Sequence, residues 1–67
     1  MKGFIEIETG KQKKLLNIRH IEEIHDAGDD DCYIYMAFSI PGALEQDYYL
    51  VGESYEEIKR KIQEAVG

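Results

Sequence analysis

One cysteine, Cys32, is all the sequence holds, so no disulfide can close within the chain. Basic residues are also few, eight against fourteen acids, for a formal charge of −6. That shortage argues against a general nucleic-acid binder, whose affinity comes largely from Lys and Arg displacing counterions. It favours solubility, and a basic patch on any protein partner. No apolar run approaches the ~20 residues that span a bilayer, and none at the N-terminus has the length of a signal peptide. A lone thiol fits a reducing compartment. The expectation is a cytoplasmic protein with no membrane contact. The six glycines are scattered, so there is no glycine-rich phosphate loop either.

What is present reads as globular. Hydrophobic residues make up 43% of the 67 positions and charged ones 33%, which leaves room for one domain, residues 1–67, and no second core. Domains this small bury only about 60% of the surface their unfolded chain exposes. They are commonly helped by disulfides, a metal or self-association. With the first excluded and metal ligands sparse, a homo-oligomer is the expected helper.

The clearest local signal lies at the end of the chain. Ser54 followed three residues later by Glu57 matches a capping box. Tyr55, Ile58, Ile62, Ala65 and Val66 then place one apolar stripe on a helix. Glu56 with Arg60, and Glu57 with Lys61, are spaced for ion pairs four apart. Acids early and bases later also suit the helix dipole.

Everything before that helix reads as short strands. Residues 4–8 alternate, with Ile5 and Ile7 on one side. Gly10 marks a tight turn, and residues 14–18 resume the pattern through Leu16 and Ile18, so the pair predicts a hairpin. A bend is expected at residues 17–20, then a short strand at residues 21–25, because β-branched isoleucines favour extended backbone. Residues 26–31, with glycine and four aspartates, predict a turn. The longest strand candidate covers residues 32–40, with Cys32, Ile34, Met36, Phe38 and Ile40 on one face and Tyr33, Tyr35, Ala37 and Ser39 on the other. Pro41 and Gly42 end it, since proline cannot donate to a ladder. A loop over residues 43–46 leads to a last strand at residues 48–51.

The expected fold class is therefore α+β: an antiparallel meander sheet of four to five strands with one C-terminal helix packed on one face. The expected core is Ile5, Ile7, Leu16, Ile18, Ile24, Ile34, Met36, Phe38, Leu50, Ile58 and Ile62.

Candidate sites are few. The aspartates at residues 26–31 do not make a calcium loop, because the twelfth place, which needs a glutamate, is Ala37. His20, His25 and Cys32 are zinc-ligand types, but three scattered residues with no close pair do not match a structural site. Cys32 reads instead as a small core hydrophobe. A Cys–His nucleophile pair would also need an orienting group, an oxyanion donor pair and a pocket. The expectation is no enzyme, with no catalytic residues, no metal and no cofactor.

The tyrosines carry more. Tyr33 and Tyr35 share a strand face, and Tyr48 and Tyr49 lie in the last strand. Tyrosine is enriched at protein interfaces because it joins a large apolar body to a polar tip. The leading expectation is a small, self-associating protein-interaction module with these four residues as its surface. The alternative is a single-strand nucleic-acid binder, with aromatic rings stacking bases and Lys11, Lys13, Lys14 and Arg19 contacting the backbone.

Leu16-Asn17, Ile21-Glu22-Glu23-Ile24, Tyr49-Leu50-Val51-Gly52-Glu53-Ser54, and Glu56-Glu57-Ile58 with Ile62 follow one another in an order that resembles the FlbD-like family. These are small bacterial proteins linked to flagellar gene clusters. The likeness runs from about Phe4 to Ile62, with a longer stretch between Ile24 and Tyr48 in this chain. It implies a small non-enzymatic protein and supplies no catalytic residues.

Overall fold

A computed structural model of the chain describes residues 2–38 and 47–67. Among these the elements are β1 (Phe4–Thr9), β2 (Gln12–Asn17), a 3-10 turn (Ile18–His20), β3 (Ile21–Gly28), β4 (Asp31–Met36), β5 (Tyr48–Val51) and α1 (Tyr55–Val66). Pairing is antiparallel throughout, and the class is α+β as expected.

β1 and β2 form the anticipated hairpin. Ile5 lies opposite Leu16 and Ile7 opposite Lys14, so alternation sends Ile5, Ile7 and Leu16 to one buried face. The turn between Thr9 and Gln12 opens on Gly10 at φ +61, a conformation glycine adopts without steric cost.

The single meander is not what forms. The described strands make two sheets, β1-β2 and β3-β4-β5. The junction explains why. Asn17 Oδ1 accepts a hydrogen bond from the Arg19 N–H at 3.0 Å and caps the 3-10 turn. A side chain that satisfies its neighbour's backbone competes with the ladder. The expected bend at residues 17–20 is this turn, and it separates β2 from β3.

β3 runs further than expected, to Gly28, so the acidic turn is tighter than residues 26–31. Gly28 pairs with Asp31, leaving Asp29 and Asp30 as a two-residue loop. Both have positive φ, +48 and +61. That sign pattern belongs to the turn whose twist matches a hairpin, and aspartate tolerates it. Asp26 Oδ1 accepts from the Gly28 N–H at 2.9 Å, beside a bulge that absorbs Ala27.

β4 is the central strand of its sheet. Cys32, Ile34 and Met36 are buried on one face, while Asp31, Tyr33 and Tyr35 are half-buried on the other. The strand ends at Met36, short of the expected residue 40, and Ala37 and Phe38 form a bend. Ser39, Ile40, Pro41, Gly42 and the expected loop at residues 43–46 lie outside the described residues.

Helix α1 closes the core. Ser54 Oγ accepts from the Glu57 N–H at 3.2 Å, as the capping signal predicts. Ile58 and Ala65 are buried against Ile5, Ile7, Ile34 and Val51, with Tyr55 and Ile62 packed at the margin. Gly3 N–H donates to the Ala65 carbonyl at 2.9 Å, tying the end of the helix to the start of β1. Replacing Ser54 with alanine should cost about 1 kcal/mol of unfolding free energy in a urea titration. An unchanged midpoint would mean the cap carries nothing.

Two core expectations and one for the helix stripe are corrected. Phe38 is 43% exposed because β4 stops two residues before it; its ring meets His20 edge-on at 5.3 Å. Leu50 is 46% exposed because it pairs with Tyr33 and so faces away from the core. Val66, expected on the helix stripe, is 66% exposed at the last turn. Cys32, Val51 and Ala65 fill the interior alongside the expected residues.

The helix ion pairs also differ from the spacing rule. Arg60 bridges Glu57 and Glu64 instead of Glu56, with the Glu64 contact at 2.7 Å. The Arg60 hydrogen bond holds the Glu57 carboxyl below its ordinary pKa. Lys61 turns away from Glu57 to pair with Glu53 at 2.5 Å and to donate to the Glu6 carbonyl at 2.9 Å. A lysine that clips helix to strand outweighs one more surface pair, which contributes little.

Candidate interaction face

The register of the three-stranded sheet decides which side chains meet. His25 is opposite Tyr33, and Glu23 is opposite Tyr35. On the other flank Tyr33 is opposite Leu50, and Tyr35 is opposite Tyr48. Partners across an antiparallel ladder share a face. Asp31, Tyr33 and Tyr35 of β4 therefore stand in one row, between Glu23 and His25 of β3 and Tyr48 and Leu50 of β5. Cys32, Ile34, Met36 and Val51 occupy the opposite, buried face.

The rings touch. Tyr33 and Tyr48 meet edge-to-face with centroids 5.4 Å apart, and Tyr35 and Tyr48 are tilted at 5.3 Å. Tyr35 also contacts the His25 imidazole at 4.8 Å, and Tyr33 lies 6.4 Å away. These separations fall in the range that aromatic pairs prefer. Glu23 Oε2 lies 3.6 Å from His25 Nε2 at the border. The result is a continuous aromatic patch with carboxylates at two edges, on the side of the sheet away from the buried core.

Of the four tyrosines singled out from the sequence, the fold brings Tyr33, Tyr35 and Tyr48 together. Tyr49 lies elsewhere: it pairs with Ile34 and packs at the margin of the core, where Lys14 Nζ sits 5.7 Å from its ring centroid. His25, Glu23, Asp31 and Leu50 join the face without having been anticipated there. Only the cross-strand register, which counts through two irregularities in β3, places them.

The four cations of the alternative reading are not brought together on this face. Lys13 is opposite Glu8 on the outer side of the hairpin, whereas Lys14 is opposite Ile7 on the inner side. Lys11 is in the hairpin turn, and Arg19 is in the 3-10 turn. Arg19 lines an open cleft of about 550 Å³ with Lys2, Phe4, Ile18 and Val66. That cleft contains no thiol, histidine or carboxylate among its lining residues.

Cys32 and the histidines stand apart. Cys32 is fully buried, and burial pushes its thiol pKa up, which disfavours the nucleophilic thiolate. The His25 ring is on the tyrosine side of the sheet, and the His20 ring contacts Phe38. Among the described residues no three His, Cys, Asp or Glu side chains converge on a point where a metal ion would sit. No helix among them is long and apolar enough to cross a membrane.

Comparison of the chain with protein-family models, with curated proteins and with solved structures finds no match.

Proposed function

We propose that this chain is a small protein-interaction module that docks through the face formed by His25, Tyr33, Tyr35 and Tyr48. The observation that carries this reading is the gathering of four rings on the sheet surface turned away from the helix. A sheet needs only one apolar face to fold against a helix. A second aromatic face exceeds that need, and tyrosine is enriched at contact surfaces. Leu50, 46% exposed beside Tyr33, extends the patch. The resemblance to FlbD-like proteins points the same way, toward a small non-enzymatic protein. A reducing compartment such as the cytoplasm suits a fold whose single cysteine is a buried thiol.

A single-strand nucleic-acid role has less support. Of the cations that would hold a phosphate backbone, Lys13 and Lys14 lie on opposite sides of the other sheet, Lys11 is in its turn and Arg19 is in the 3-10 turn, while the rings are bordered by Glu23 and Asp31.

Self-association is a separate part of the proposal and rests on the thin core, nine buried side chains among the described residues. A face-to-face pair through the tyrosines would press Glu23 and Asp31 of both copies into one seam. The hairpin's outer side, where Phe4 is 38% and Leu15 is 50% exposed, also carries Glu6 and Glu8 but sets Lys13 opposite Glu8, which gives a second copy a charge of opposite sign to meet. Light scattering over a concentration series should show a mass rising above 7.8 kDa. The Leu15→Lys variant, whose lysine would stand opposite Glu6, should hold the monomer mass at the same concentrations. A constant monomer mass for the unaltered chain at the highest concentration would remove self-association from the account.

A further inference from the structure

We infer that the occupant of the tyrosine face is an arginine-bearing segment of a partner protein; this rests on the docking role proposed above and adds the partner's chemistry.

The face has two components that one kind of side chain satisfies together. Its centre is aromatic, with the rings of Tyr33, Tyr35 and Tyr48 in mutual contact. Its edges are acidic: Glu23 lies opposite Tyr35, and Asp31 stands in the same row as Tyr33. Asp29 and Asp30 continue the negative charge past Asp31 at the hairpin tip. The only basic side chain among the residues of this face is the His25 imidazole, 3.6 Å from Glu23; none is a lysine or arginine. The whole chain adds its formal charge of −6.

A guanidinium is planar, so it stacks on a tyrosine ring while its N–H groups reach a neighbouring carboxylate. An ammonium is more strongly hydrated and makes a point contact. The spacing of the face matches that difference. From a ring at the centre, a carboxylate lies one cross-strand step away at Glu23 or two residues along β4 at Asp31. The field of an acidic molecule also speeds the encounter with a basic segment. A second copy of this chain is a poor occupant, because it brings the same carboxylates.

The test titrates the full chain with three capped peptides: a Gly-Arg repeat, a Gly-Lys repeat of equal length and a neutral Ser-Leu repeat. Amide and ring signals are followed by NMR at about 0.1 M salt, where long-range attraction is screened beyond about 10 Å. The Gly-Arg peptide should move the signals of Tyr33, Tyr35, Tyr48 and Glu23, and bind roughly fivefold tighter than the Gly-Lys peptide. Tyr35→Ser removes a ring without changing charge and should weaken Gly-Arg binding roughly tenfold. Glu23→Gln should weaken it as well, and a thermal melt of each variant checks that the fold is retained. Equal affinity for the two basic peptides, or an unaltered affinity in Tyr35→Ser, would overturn the inference, because charge alone would then account for binding. If only the Ser-Leu peptide moves the tyrosine signals, the face is a contact surface and the arginine assignment is wrong. If no peptide moves them, the inference and the docking role both fail.

Discussion

A chain ending at Glu53 should show no cooperative unfolding transition in a thermal melt followed by circular dichroism. Helix α1 is the lid of the core, and without it Ile7, Ile34 and Val51, each at most 1% exposed, would face water. Residual stability in a domain of this size is small, since whole proteins hold only about 5–15 kcal/mol. Ile58 is the contact that matters most on the helix, because it alone among the helix's apolar side chains is fully buried. Ile58→Ala alone should cost about 3–4 kcal/mol through lost burial and the cavity left behind. Loss on that scale takes much of what a small core supplies. A truncated chain that still melted sharply at the original temperature would show that the strands support themselves.

Two neighbours in β4 give the second large contrast. Ile34 is fully buried and Tyr35, the next residue, stands on the opposite, half-buried face. Ile34→Ala should lose about 3–4 kcal/mol in urea unfolding. Tyr35→Ser should lose only about 1 kcal/mol, the worth of an aromatic pair near the surface. The ordering is the informative part. If both losses are equal, Tyr35 belongs to a second core and is not a contact surface. If Tyr35→Ser costs more, the two faces of the sheet have been assigned the wrong way round.

Much of this was written in local pattern. The cap at Ser54, the glycine turn at Gly10 and the alternation in residues 4–8 each depend on neighbours within a few positions, and each forms as read. The two-sheet division was less legible. It turns on the Asn17 side chain accepting from Arg19, a bond that the single bend expected at residues 17–20 did not contain. Phe38 and Leu50 failed as core residues for different reasons. Alternation carried Phe38 inward only while β4 was assumed to continue, and Leu50 was placed without its cross-strand partner. A shift of one residue in register reverses every side chain of a strand, so the tyrosine face could not be assembled from composition. Tyr48 and Tyr49, adjacent in sequence, divide between the two faces for this reason.

The division of the sheet into a covered side and an open aromatic side is best measured with a soluble paramagnetic agent added to the protein at a concentration where it is monomeric. The account predicts strong broadening of the Tyr33 and Tyr35 ring signals, with the methyl signals of Ile34, Val51 and Ile58 left sharp. Ring signals as protected as those methyls would contradict it, since a buried tyrosine face offers nothing to a partner.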